Sequence, residues 1–231
     1  MPEEEVVPQA EQTAHLTPEE KSEFGGRLDE LLRDGSRAIG EVISRESRFL
    51  GRIRGRVSPL RGRENSSGVE GEAAGRVIRG VDATQKTENR HDQGLGEDWR
   101  NFEKNARDLL PNLVADDRRR EELEDVCQRV NSLVDGFMSR VVEDLEKLPQ
   151  SMRELNSILL HATQLFGREP QSPQAQEVKR MITSLYQNFE GVTEAKGIAD
   201  GSYGSIRRVI SALRGLVEET MGRRFESQSS H

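Results

Sequence analysis

Between Leu123 and Leu148 the apolar residues recur in steps of three and four: Leu123, Val126, Cys127, Val130, Leu133, Val134, Phe137, Val141, Leu145 and Leu148. That period puts them on one side of a helix. Pro149 is expected to stop this helix. Ser151-Met152-Arg153-Glu154 then has the form of a capping box, and Met152, Leu155, Ile158, Leu159, Ala162, Leu165 and Phe166 continue the stripe in a second helix. Gly167 and Pro170 end that one, and Ser172-Pro173 opens another carrying Val178, Met181, Ile182, Leu185 and Phe189, closed by Gly191. Gly197 to Gly204 reads as a loop, and Ser205 starts a last helix with Ile206, Val209, Ile210, Leu213, Leu216, Val217 and Met221. Trp99, Phe102, Ala106, Leu109, Leu110 and Leu113 form a stripe that bends or ends near Pro111, and Asp116 is placed to cap the long helix after it.

The N-terminal half reads differently. Thr17-Pro18-Glu19-Glu20 is a helix start, with Thr as N-cap and Pro at the first helical position. Phe24, Leu28, Leu31, Leu32, Ala38, Ile39, Val42, Ile43, Phe49, Leu50 and Ile53 follow at helical spacing, interrupted by Gly25, Gly26, Gly35 and Gly40. Each such glycine costs about 1 kcal/mol relative to alanine, so this helix needs a partner surface. Residues 55–96 carry eight glycines and few apolar side chains, too little to offset the entropy of ordering them.

These patterns predict an all-α protein: an antiparallel helical bundle of about five helices over 97–222, an N-terminal amphipathic helix over 17–54, and a disordered Gly/Arg-rich linker over 55–96 between them. The ends, 1–16 and 223–231, read as disordered tails. Strand-like alternation is absent, so no sheet is expected.

Composition sharpens this only in part. The chain has 231 residues, 33% apolar, with a net charge of -7. An acidic total disfavours affinity for nucleic acid. With one cysteine no disulfide can form within the chain, and no apolar run approaches a membrane span of roughly 18 residues. The N-terminus lacks the pattern of a signal peptide, so a cytoplasmic protein is expected, with the nucleus open.

Candidate chemistry is sparse. His15, His91, His161 and His231 show no metal-ligand spacing, and Cys127 falls on the inward stripe, where a thiol packs as a small apolar group. No phosphate-binding loop is present. No catalytic constellation, metal or cofactor is therefore expected. Arg45, Arg48, Arg52, Arg54, Arg56, Arg61 and Arg63 form a basic run suited to an anionic membrane surface or an acidic partner, and Ser58-Pro59 within it is a candidate phosphorylation site. Phosphate contact by its Arg/Gly half and nuclear import are further readings, and the plain alternative is a solvated charge run that offsets the acidic N-terminus. The expected function is a non-enzymatic protein-protein interaction or scaffold module, with homo-oligomerisation open. The alternative is a peripheral membrane protein that uses the basic helix 18–54.

Overall fold

The computed structural model describes residues 15–167 and 172–226. The expectations for residues 1–14 and 227–231, including His231, and for Pro170 lie outside that range. The described residues form helices joined by turns, without a strand. The elements are α1 (Pro18–Val57), α2 (Val69–Leu109), α3 (Arg120–Gln164), α4 (Pro173–Gln187) and α5 (Gly191–Glu226), with short 3-10 turns at Ser58–Leu60 and Leu110–Leu113.

Two helix starts follow their sequence signals. Thr17 and Glu20 form a reciprocal capping box, the Glu20 backbone N–H donating to Thr17 Oγ1 and the Thr17 N–H donating to Glu20 Oε2 at 2.8 Å. Ser172 Oγ accepts from the Ala175 N–H at 3.0 Å and starts α4.

The linker expected over 55–96 is replaced by helix from Val69 onward. Its glycines mark close approach as well as turns. A Cβ on Gly80 would lie 2.8 Å from Ile158 Cδ1, so glycine here lets the backbone of α2 approach α3. Ala73, Ala74, Val77, Ile78 and Val81 complete a buried face of small and branched side chains. Gly62 and Gly68, at φ 89 and 112, turn the chain from α1 into α2.

Other boundaries also move. Pro149 lies inside α3 and does not end it. Proline removes one intrahelical hydrogen bond, but Leu145, Leu148, Met152 and Leu155 are buried on either side and hold the helix together. Residues 197–204 belong to α5, whose buried face there is built from Ala195, Ala199 and Ser202. Gly191 opens α5, α4 having ended at Gln187. Asp116 does not cap α3; it takes Lys21 Nζ at 2.5 Å. The five helices expected beyond residue 96 thus reduce to four: the end of α2, then α3, α4 and α5.

The chain divides into two compact units, each assembled from segments of α1, α2, α3 and α5. In the unit of residues 1–35, 100–137 and 208–231, Phe24, Leu32, Leu113, Leu123, Val134, Phe137 and Leu213 form the interior, and the Phe102 and Phe137 rings meet at 4.7 Å between centroids. Leu16 is buried there, and α5 continues to Glu226, so Leu16 and residues 223–226 belong to the fold where tails were expected. Arg224 is fully buried and donates through Nη2 to the Ala115 carbonyl at 2.8 Å, tying the last turn of α5 to the loop before α3.

The unit of residues 36–99 and 138–207 also contains α4. Its segments of α1 and α2 run antiparallel: Ser36 accepts from Trp99 Nε1 at 2.8 Å, and Arg61 reaches Asp82 at the opposite end. The α2 and α3 segments are likewise antiparallel, from Asp98–Arg140 to Gly80–Ile158. Its core joins Phe49, Leu50, Ile53, Leu60, Val77, Leu148, Leu155, Val178 and Ile182.

Close approach at Gly80 predicts opposite outcomes for glycine substitutions within this unit. Gly80→Leu inserts a side chain where α3 already stands and lowers stability by about 1–3 kcal/mol. Gly51→Ala, in α1 with nothing within 4 Å of the added Cβ, raises stability by about 0.5–1 kcal/mol. Thermal melts followed by circular dichroism check both signs.

Candidate functional site

Two helices of the second unit place acids at inward-facing positions, and a third adds a hydroxyl. On α1 the buried sequence runs Ile39, Val42, Glu46, Phe49, Ile53, so Glu46 occupies a core position at regular spacing. On α2 the buried sequence Val81, Glu88, Asp92, Leu95, Trp99 puts two acids on the buried face. Glu46 is 5%, Glu88 1% and Asp92 8% exposed. Ser151 of α3 donates its hydroxyl to Glu88 Oε1 at 2.6 Å. The serine read from the sequence as a helix cap therefore serves as a donor to a buried carboxylate.

Ionised carboxylates in such a place are costly, and the acids respond by holding protons. Burial, reinforced by the hydrogen bond to Asp92 and by the charges of Asp92, Glu88 and Asp144, pushes Glu46 up to about 9. Burial raises Asp92 as well, partly offset by its hydrogen bond with Glu46. Glu88 is raised by burial and held back by the Ser151 hydroxyl. At neutral pH Glu46 is the protonated member and donates to Asp92. The other Asp92 oxygen, Oδ1, has no hydrogen-bond partner. The neighbouring cation, Lys147, is taken by Asp144 at 2.5 Å. His91, on α2 beside Asp92, is lowered by burial and by Lys147.

This layer binds protons, but among the described residues no group of three His, Cys, Asp or Glu side chains is placed to hold a metal ion. Cys127 lies half-buried in the other unit with its thiol pushed up by burial. His161 is exposed beside Ser157. None of the acids of the layer was singled out from the sequence. The available signal was an acid at a position where helical spacing demands an apolar residue.

The basic run is largely engaged within the molecule. Arg45 pairs with Glu41 at 3.3 Å, Arg52 with Glu194, Arg61 with Asp82 at 2.7 Å and Arg63 with Glu177 at 2.9 Å. Arg52 also lies over the Phe49 ring, and Arg48 donates to the Ser44 carbonyl. Arg54 and Arg56 are exposed and have no ion-pair partner among the described residues. Ser58 is exposed in the turn after α1. Five of the seven arginines thus have a partner within the molecule.

Arg56 instead stands at the mouth of a cavity of about 330 Å³. Buried Ile53 and Val57 of α1 and Leu155 and Leu159 of α3 line it. Leu185 and Phe189 are half-buried walls, and Ser184, Asn188 and Glu190 are exposed at the rim. The Phe189 ring lies against the backbone of Gly191, where a Cβ would come within 2.5 Å of the ring. The volume falls at the lower edge of small-ligand sites, roughly 300–1,000 Å³. Comparison with known protein families, with curated proteins and with solved structures returned no match.

The raised carboxyls set a pH dependence. A group that keeps its proton in the folded chain but not in the unfolded one stabilises fully below the unfolded value, and that stability is lost as pH rises toward the folded value. For Glu46 the window runs from the ordinary carboxylate range to about 9. Glu46→Gln retains a donor for Asp92 and cannot ionise. Its unfolding free energy is expected to exceed the parent's by about 2 kcal/mol near the top of that window and to converge with it at mildly acidic pH. Glu88 and Asp92 leave a residual slope of the same sign. Denaturant titrations across the window measure the difference.

Proposed function

We propose that this chain is a non-enzymatic helical interaction module that binds through the apolar pocket bounded by α1, α3 and the junction of α4 with α5. The observation that carries the reading is the pocket itself: an apolar floor, partly buried walls and a short polar rim, the arrangement expected of a binding site. The hydrogen bonds of Glu46 with Asp92 and of Ser151 with Glu88 support a structural role for the layer.

Peripheral membrane association through α1 is the weaker reading. The apolar face of α1, from Phe24 through Leu32, Phe49 and Ile53 to Val57, is buried. Inserting it in lipid requires first exposing that face, at roughly 1.5–3 kcal/mol for each large side chain.

Filling the pocket tests the proposal without touching the core. Ser184 is exposed at the rim, so Ser184→Phe places a ring in the opening while leaving the buried floor intact. Cross-linked capture from a cell extract is expected to recover a defined set of proteins with the parent chain and to lose at least about nine-tenths of it with the variant, while both melt within a few degrees of one another. Identical captured sets from the two proteins contradict the proposal.

A further inference from the structure

The rim of the pocket carries both signs of charge. Arg56 and Glu190 line the same cavity, both are exposed, and neither has an ion-pair partner among the described residues. They do not pair with each other. A sphere of 330 Å³ is roughly 9 Å across, about one screening length at physiological salt. Any headgroup seated at the mouth therefore feels both charges. Asn188 and Ser184 add neutral groups between them.

This arrangement discriminates between classes of occupant. An anionic amphiphile placed by Arg56 meets repulsion from Glu190, and a cationic one meets the reverse. An uncharged apolar ligand leaves both charges unused. A polypeptide can satisfy all the features at once, because it can set a large apolar side chain between residues of opposite charge.

On the reading of the pocket as a binding site, we infer that its occupant is the apolar anchor residue of a polypeptide partner that presents an acid to Arg56 and a base to Glu190. The apolar floor supplies affinity through burial, and the two rim charges set orientation.

The test uses the full chain and a displayed library of random 12-residue peptides, with counter-selection on Ser184→Phe. Enriched peptides are expected to combine a large apolar residue with one acid and one base. Arg56→Glu and Glu190→Lys are each expected to weaken a selected peptide about tenfold, and the double reversal to prefer the same peptide with its two charges exchanged. Enriched peptides of a single charge sign, affinity indifferent to both reversals, or no enrichment over the filled variant overturns the inference. Titration with 1-decanol, followed by the methyl signals of Leu155 and Leu159, separates this failure from failure of the binding reading. Decanol that binds where peptides do not leaves a pocket for apolar ligands and removes the polypeptide. If neither binds, the pocket is not a site.

Discussion

Helical spacing buries a position whatever residue occupies it, and in the unit of residues 36–99 and 138–207 that constraint falls on Glu46, Glu88 and Asp92. Moving an ionised carboxylate into an apolar interior costs far more than one helix contact returns. The layer is tenable because the acids share protons and hydrogen bonds: Glu46 with Asp92, and Glu88 with the Ser151 hydroxyl. With Glu46 protonated and the other two acids hydrogen-bonded, the apolar residues on either side can meet. Val42 and Phe49 flank the acid on α1, Val81 and Leu95 flank the pair on α2, and Leu148 and Met152 flank Ser151 on α3. The same packing brings Ile53 and Val57 alongside Leu155 and Leu159, where the pocket opens.

The acids also explain which parts of the fold were legible in the sequence. Regular apolar stripes with start signals, as in α1 and α4, could be read directly, down to the Thr17–Glu20 box and the Ser172 cap. Residues 69–96 could not, because their inward positions hold Ala73, Ala74 and Gly80 at one end and Glu88 and Asp92 at the other. Hydrophobicity gives little weight to alanine and glycine and counts acids as surface. The first allow close helix contact and the second are held by hydrogen bonds from Ser151 and Glu46 on other helices, and neither effect is local. The segment 197–204 was misread for the same reason, since Ala199 and Ser202 carry its buried face. Pro149 reads as a break only when the hydrogen bond it removes is not weighed against the burial of Leu145, Leu148 and Met152.

The candidate site was less legible than the fold. The pocket draws residues from α1, α3, the end of α4 and the turn after it, with α1 about a hundred positions before the rest, and each apolar member taken singly reads as ordinary core. A cavity is volume left unfilled among side chains, which no stripe discloses. The basic run was conspicuous in the sequence, yet most of it is spent on intramolecular pairs such as Arg52–Glu194 and Arg63–Glu177. Exposed pairs of this kind contribute little stability individually, about 0–1 kcal/mol. Their consequence is to leave Arg56, beside Glu190, as a charge available to a partner at the pocket.

Infrared spectroscopy of the full chain at neutral pH tests the protonated core most directly, because a protonated carboxyl and a carboxylate absorb at separate frequencies. The account predicts a protonated-carboxyl band that persists through neutral pH and disappears in Glu46→Gln while the helical signal is unchanged. A spectrum with carboxylate bands alone, identical in the two proteins, would contradict it.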